Sequence, residues 1–131
     1  MPTLSIYMPE SGEGIYELML TFDDHGYQES MYREFKEMCR CTLSAILPEL
    51  DDDTLAALYE DLYAQAGINF WGNYYPDTGE ERPGIEAMYC YENIGLYGYY
   101  GAGTANICII PLTAEDTENL IERGIEIRTI E

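Results

Sequence analysis

Basic residues are scarce in this sequence. The 131 residues include six Lys and Arg against 25 Asp and Glu, which gives a formal net charge of −19 at pH 7. Such an excess of negative charge repels nucleic-acid backbones and anionic lipid surfaces, and proteins that bind DNA or RNA directly usually carry the opposite balance. The composition therefore indicates a basic protein surface, a metal cation or a cationic ligand as partner, and no direct binding to nucleic acid or membrane.

Histidine is almost absent, which limits the enzyme classes that the chain can belong to. A Cys–His pair or a Ser–His–Asp triad would have to use the single histidine, His25, which lies in a predicted turn. No serine lies in a G-x-S-x-G context, and the G-x-G at 101–103 lacks the third glycine of a dinucleotide-binding loop. Carboxylate pairs stay open as glycosidase groups, because so acidic a chain offers many of them. We expect a protein that is not an enzyme, with no catalytic residues and no cofactor.

The four cysteines match neither a zinc motif nor a disulfide framework. Cys39 and Cys41 lie two apart in a predicted helix and point to different faces, and Cys90 and Cys108 lie in apolar runs where a free cysteine is commonly a small buried hydrophobe. The acidic run at 51–53 does not fit an EF-hand loop. We expect no metal ligands and a reducing compartment. Long apolar runs and a signal-like start are also missing, which predicts a cytoplasmic protein without a membrane span.

The residues that are present suffice for one folded domain. The length suits a single domain, and 47% hydrophobic residues are too many for a disordered acidic tail. Alternating and helical spacings predict, in order, strands at 3–8 and 15–22, helices over 28–47 and 51–67, strands at 68–75, 85–91, 94–100 and 104–110, a helix over 113–124 and a strand at 125–130. This order, ββ-αα-ββββ-αβ, predicts a single compact acidic α+β domain over 1–131, whose mostly antiparallel sheet has the helices packed on one face.

Both long predicted helices have an apolar stripe that we expect to face the core. For the second, an N-terminal cap from the 51–53 aspartates is also predicted. The expected stripes are Met31, Phe35, Met38, Thr42 and Ile46 in the first helix, and Leu55, Leu58, Tyr59, Leu62 and Ala66 in the second.

The acidic residues are densest in the middle of the chain. Residues 41–81 carry nine Asp and Glu and no Lys or Arg, whereas the three cations of the first predicted helix, Arg33, Lys36 and Arg40, alternate with glutamates and are expected to pair with them locally. Asp53, Glu60 and Asp61 are expected on the outer side of the second helix. The acidic residues predicted to bind a partner are Glu49, Asp51, Asp52, Asp53, Glu60, Asp61, Asp77, Glu80 and Glu81.

Tyrosine is the second unusual feature, with five of its 13 copies between residues 88 and 100. With a tight turn at Glu92–Asn93, we expect Tyr89 and Tyr91 on one strand to face Tyr97 and Tyr99 on the next. That face is either core or an open aromatic platform suited to an Arg-rich surface. The aromatic residues predicted to contribute to partner binding are Trp71, Tyr74, Tyr75, Tyr91, Tyr97 and Tyr99.

In composition the whole chain is similar to phage- and mobile-element-encoded DNA mimics, a group that includes antirestriction and anti-CRISPR proteins. The resemblance implies an inhibitor that occupies the basic nucleic-acid channel of a restriction or CRISPR nuclease in a bacterial host cytoplasm. Three alternatives stay open. They are an immunity or antitoxin-like protein against a basic nuclease toxin, an enzyme or small-molecule binder whose pocket of Tyr91, Tyr97, Tyr99 and acids takes a neutral or cationic ligand, and an acidic accessory domain or halophilic housekeeping protein whose acidic surface is merely solvated.

Overall fold

The computed structural model of the protein describes residues 2–8, 17–23, 28–68, 87–101 and 104–130. The predicted turn at His25, most of the predicted strand at 68–75 and the loop that follows it lie outside these ranges. Three helices and six strands are found within them: β1 Thr3–Tyr7, β2 Glu17–Asp23, α1 Glu29–Ile46, α2 Asp52–Ile68, β3 Ala87–Tyr91, β4 Ile94–Gly101, β5 Thr104–Pro111, α3 Ala114–Glu122 and β6 Glu126–Thr129.

The six strands form one sheet in the order β1-β2-β5-β4-β3-β6. Every neighbouring pair is antiparallel except β3 and β6, which are parallel. The last strand reaches this edge because α3 carries the chain back from the end of β5. The α+β class and the mostly antiparallel sheet are therefore confirmed.

The main core lies between one face of the sheet and the two long helices. From the sheet it includes Leu20, Phe22, Leu96, Ile107 and Ile109, all of them buried. All five residues of the predicted α2 stripe are buried. In α1 the prediction was partly confirmed: Phe35 is buried, and Met31, Met38 and Ile46 pack against the core as expected. The fully buried companions of Phe35 are Cys39 and Leu43, which were not predicted, and Thr42 is only half-buried. Their spacing of four residues fits one helix row, and burial raises the pKa of the Cys39 thiol to about 12.

The helix ends follow the local chemistry of the chain. The Asp51 carboxylate accepts a 2.7 Å hydrogen bond from the Thr54 backbone N–H and caps α2. Thr113 and Asp116 form a reciprocal capping box at the start of α3. The chain leaves α3 through Gly124, whose φ of 84° is a left-handed conformation that glycine adopts without strain. The predicted aspartate cap and the predicted start of α3 are confirmed.

The third helix departs from the prediction that all helices share one face. Leu120 of α3 packs with Met88, Leu112 and Ile125 in a second, smaller core. Met88 precedes Tyr89 on β3, and Tyr89 packs against the main core. Because neighbouring residues of a strand point to opposite faces, α3 lies on the face away from α1 and α2. The expectation holds for the two long helices only.

The α2 backbone lies directly on β4 at Gly98. A Cβ atom placed on Gly98 would lie 2.0 Å from the Leu62 carbonyl oxygen and 3.2 Å from the Ala66 nitrogen. Gly95, on the same strand, faces the other core, where an added Cβ would meet the Met88 sulfur at 2.8 Å. A side chain at position 98 would therefore collide with helix backbone, which cannot move locally. A side chain at position 95 would meet the far end of the flexible Met88 side chain.

This difference predicts unequal costs for two matched substitutions. We expect Gly98→Ala to lower the free energy of unfolding by about 3 kcal/mol, because α2 must move off the sheet to admit the methyl group. We expect Gly95→Ala to cost less than about 1 kcal/mol, because Met88 can change rotamer. Urea unfolding followed by far-UV circular dichroism measures both. Equal stability of the two variants would contradict the close seating of α2 on β4.

Candidate functional site

The hairpin of β3 and β4 places its tyrosines on both faces of the sheet. Its turn lies at Glu92–Asn93 as predicted, and Tyr89 pairs with Leu96 and Tyr91 with Ile94. A two-residue turn pairs odd-numbered with even-numbered residues, so Tyr89 and Tyr91 lie on the helix side and Tyr97 and Tyr99 on the opposite side. The expected cross-strand pairing of the four rings was therefore wrong, and no single aromatic platform joins them. Instead, Tyr97 stacks on Tyr99 of its own strand with 6.1 Å between ring centroids.

On the helix side, the hydroxyl of Tyr89 holds a carboxylate of α2. The Tyr89 hydroxyl donates a 2.7 Å hydrogen bond to Asp61 Oδ2. Arg128 of β6 lies over the same ring, with 5.6 Å between its Cζ and the centroid, and its Nη1 is 3.4 Å from the hydroxyl. Burial and the Asp61 carboxylate raise the pKa of the Tyr89 phenol. The phenol therefore stays a donor, and Asp61 is held where α2 passes β3.

A second phenol holds the acidic loop between the two long helices. The Tyr91 hydroxyl donates a 2.9 Å hydrogen bond to Glu49 Oε2. The pKa of Tyr91 is raised, first by this bond and then by burial and the charges of Glu49 and Glu92. Glu92 is the first turn residue and has a left-handed φ of 52°, a conformation that costs a non-glycine residue about 1 kcal/mol or more. The Glu49 carboxylate is thus held by a phenol at the end of the sheet where Glu92 begins the turn.

The remaining predicted acids of α2 differ in how much of their charge is unpaired. Asp51 serves as the cap, and Asp52 and Asp53 are exposed in the first turn. Glu60 forms a 3.0 Å ion pair with Lys36 of α1. The prediction of local pairs within α1 is confirmed for Arg40, which pairs with Glu37, and was wrong for Lys36, which pairs with the next helix. Asp52 and Asp53 are therefore less neutralised than Glu60, although the charge of Arg40 also acts on Asp52.

The far face of the sheet has its own group of phenol, thiol and carboxylate. Tyr97 donates to Glu17 Oε1 at 3.3 Å, and Tyr99 contacts the Met19 sulfur at 3.9 Å. Burial, together with Glu17, raises the pKa of the buried Cys108 thiol and of the Tyr97 phenol. Tyr91 lies on the opposite face, so a single pocket lined by Tyr91, Tyr97 and Tyr99 is not formed.

Six of the predicted partner-binding residues cannot be placed on either face. They lie outside the described residues, and their role stays a prediction: Trp71, Tyr74, Tyr75, Asp77, Glu80 and Glu81.

Two apolar grooves meet at the end of β5. The larger, of about 560 Å³, lies between α3 and the far face and is lined by Met88, Tyr97, Ile110, Pro111, Leu112, Asp116, Asn119, Leu120 and Arg123. The smaller, of about 250 Å³, is lined by Leu18, Ile46, Asn93, Ile94, Ile109, Ile110 and Pro111. We call the smaller one the end groove. None of the side chains that the structure describes in its lining is charged, although Glu49 and Glu92 lie just beyond Ile46 and Asn93 in the chain.

Sequence reasoning missed Glu17 and Glu92 as members of these groups, together with the end groove. The charges of Glu17 and Glu92 are ordinary in so acidic a chain, so composition does not single them out. The length of the turn is the signal that could have placed these residues. A two-residue turn pairs odd-numbered residues of β3 with even-numbered residues of β4, which puts Tyr91 and Tyr97 on opposite faces.

Comparison of the chain with protein-family models, with curated proteins and with solved structures finds no match in any of the three. Within the described ranges, no three His, Cys, Asp or Glu residues are grouped so that they could hold a metal ion. None of the described helices is long and apolar enough to cross a membrane.

The raised pKa values of the Tyr97 phenol and of the Cys39 and Cys108 thiols predict a loss of stability in alkali. Because the pKa of Tyr97 is raised above 10.0 in the folded protein, the unfolded chain loses this proton first. Its contribution to stability is therefore complete below pH 10 and is lost as pH rises further, by up to about 1.4 kcal/mol per pH unit. Urea midpoints measured from about pH 8 to about pH 11 should fall less steeply for Tyr97→Phe than for the unmodified chain. Identical slopes would show that this phenol is not held in its neutral form.

Proposed function

We propose that the protein is an acidic binding protein that occupies a basic, nucleic-acid-binding surface of a partner protein. The observation that carries the proposal is the pair of hydrogen bonds from Tyr91 to Glu49 and from Tyr89 to Asp61. They fix two exposed carboxylates with phenols that donate a proton but add no positive charge. Arg128 lies at the Tyr89 hydroxyl beside Asp61, so Glu49 is the one of the two that, among the described residues, is held without a cation at the same phenol.

Fixed negative charge supports binding to a rigid basic surface. A carboxylate that is already positioned loses less side-chain entropy when it meets an Arg or Lys of the partner. The excess of negative charge over the whole chain also steers a basic partner toward the protein from a distance. Both effects act on charge alone, so they support the same partner class whether it is a nuclease or a toxin.

The spacing of the acids favours a local contact over imitation of a long duplex. Asp53 and Asp61 lie eight residues apart in α2, a rise of about 12 Å, over which duplex DNA carries about seven charges. The α2 surface offers fewer, and Lys36 neutralises Glu60. The contact that we propose therefore centres on the start of α2 and the preceding loop, from Glu49 to Asp53.

The finer form of the proposal is a DNA mimic of the antirestriction or anti-CRISPR type, which acts in the cytoplasm of a bacterial host. An immunity protein against a basic nuclease toxin uses the same electrostatics. Competition with a labelled duplex of about 20 base pairs for purified restriction endonucleases, a Cas9-type nuclease and nuclease toxins distinguishes these forms by the partner that responds. Raising the salt concentration from about 0.1 to about 0.5 M should weaken direct binding of the protein to the responding partner at least tenfold. A protein that displaces no duplex from any of them would contradict the mimic form.

A charge reversal locates the contact. We expect Asp52→Lys/Asp53→Lys to lower competition with the duplex at least tenfold, because two attractive contacts become repulsive. The matched control is Glu115→Lys/Glu118→Lys, which changes the net charge equally on exposed residues of α3, on the other face. Circular dichroism checks that both variants fold. Equal losses in the two variants would mean that total charge, and not the start of α2, governs binding.

The groove under α3 favours a second candidate, a binder of a small uncharged or cationic molecule. Its volume of about 560 Å³ lies within the range of about 300 to 1,000 Å³ that is usual for ligand sites. Its lining combines an apolar floor with the polar groups of Asp116, Asn119 and Arg123 at the helix. A ligand that raises the melting temperature of the unmodified chain but not of Leu120→Trp, which fills the groove, would support this alternative.

A further inference from the structure

We propose that the end groove is the anchor site for one apolar side chain of the basic partner, flanked in that partner by Arg or Lys. The inference rests on the proposed function and adds to it the short-range contact that charge does not supply. The end groove lies between the start of β2, the end of α1, the β3–β4 turn and the end of β5.

The size and lining of the end groove suit a side chain more than a free ligand. Its volume of about 250 Å³ is below the range of about 300 Å³ and above that is usual for small-molecule sites. Its described lining is aliphatic apart from Asn93, a lining that an apolar side chain fills by displacing water. Burying a leucine-sized side chain there favours binding by a factor of about ten or more.

The charges around the end groove define the occupant. The Tyr91 hydroxyl holds the Glu49 carboxylate, and Tyr91 is the strand partner of Ile94, which lines the groove. Glu92 directly precedes the lining residue Asn93 in the turn. No cation is found among the described residues of the lining, so an acidic or neutral apolar segment gains no electrostatic attraction here. Charge complementarity therefore selects an apolar residue with basic neighbours.

The geometry also explains why the acids and the apolar surface are placed together. Pro111 ends β5 and donates no backbone hydrogen bond, and Ile94 pairs with it at the hairpin end. At these strand ends Ile94 is half-buried and Pro111 is exposed, and both line the groove together with Ile46, the last residue of α1. An anchor residue there would complete the packing between α1 and the sheet, within reach of the Glu49 carboxylate.

Three capped peptides test the inference. The first has a central leucine between pairs of arginines, the second has serine in place of leucine, and the third has glutamates in place of the arginines. Titration calorimetry and ¹⁵N shift mapping on the full chain measure affinity and position. We expect the first peptide to bind at least about tenfold more tightly than the second and to shift the amides of Asn93, Ile94 and Ile110, and the third not to bind.

Two matched variants separate the groove from its rim. Asn93→Arg adds a cation at the rim and should abolish binding of the first peptide, whereas Asn119→Arg adds the same charge to exposed α3 and should weaken it less. Glu49→Gln keeps an oxygen that accepts from Tyr91 but removes the charge, and should weaken the first peptide more than Glu118→Gln does.

The outcomes distinguish the inference from the proposed function. Equal affinity of the first two peptides, with shifts confined to the acidic residues, overturns the anchor site and leaves the charge-based function in place. Binding of the glutamate peptide as tightly as the arginine peptide overturns the charge selection at the rim. Absence of binding by all three overturns the anchor site, and the duplex competition then decides the proposed function independently.

Discussion

The contact between α2 and β4 at Gly98 positions most of what could act as a binding surface. Because no side chain separates the Leu62 carbonyl from the strand, α2 lies closer to the sheet than a residue larger than glycine would permit. At that depth Asp61 comes within hydrogen-bonding distance of the Tyr89 hydroxyl. The same seating places the loop before α2 above the hairpin, where Glu49 meets Tyr91. The backbone contact in the core therefore fixes the positions of carboxylates on the surface.

Tyrosine hydroxyls hold carboxylates for which the chain has too few cations. Six cations cannot pair with 25 acids, and some of those cations are used in pairs such as Lys36–Glu60. A phenol ring contributes apolar area to the sheet while its hydroxyl donates to a carboxylate, so it can hold an acid without consuming its charge. Three tyrosines of the hairpin donate to acids in this way, with Asp61, Glu49 and Glu17 as acceptors, and at Tyr89 the cation Arg128 joins the group. The abundance of phenol rings and the excess of negative charge are thus two parts of one arrangement.

Local sequence signals predicted most helices and strands of this fold. How these elements pack against one another was harder to predict. The α2 stripe, the start of α3 at Thr113 and the Glu92–Asn93 turn depend on residues a few positions apart, and all three were predicted correctly. The face on which the Tyr97 ring lies also follows from the sequence, because the length of the turn fixes which residues of the two strands pair. The predicted pairing of Tyr97 with the β3 tyrosines did not take the turn length into account. The side on which α3 lies depends on how the chain crosses from β5 to β6, and the pairing of Lys36 with Glu60 depends on helix packing. Neither the position of α3 nor the Lys36–Glu60 pair leaves a periodic signal in the sequence. The end groove could not be predicted either, because it forms only when β2, α1, the β3–β4 hairpin and β5 are packed together.

Long-range charge and short-range fit have different roles in recognition. A strongly negative surface raises the rate of encounter with any basic protein and discriminates poorly among them. The lifetime of a complex depends more on contacts made after water is excluded, and in most interfaces a few buried side chains dominate these. A protein whose specificity came only from charge would bind ribosomal proteins, nucleases and histone-like proteins alike. In the binding mode that we propose, an apolar groove beside fixed carboxylates would restrict the choice, because the partner would have to present an apolar residue and its cations in one local arrangement. The carboxylates held by Tyr89 and Tyr91 would then set where those cations lie relative to the groove.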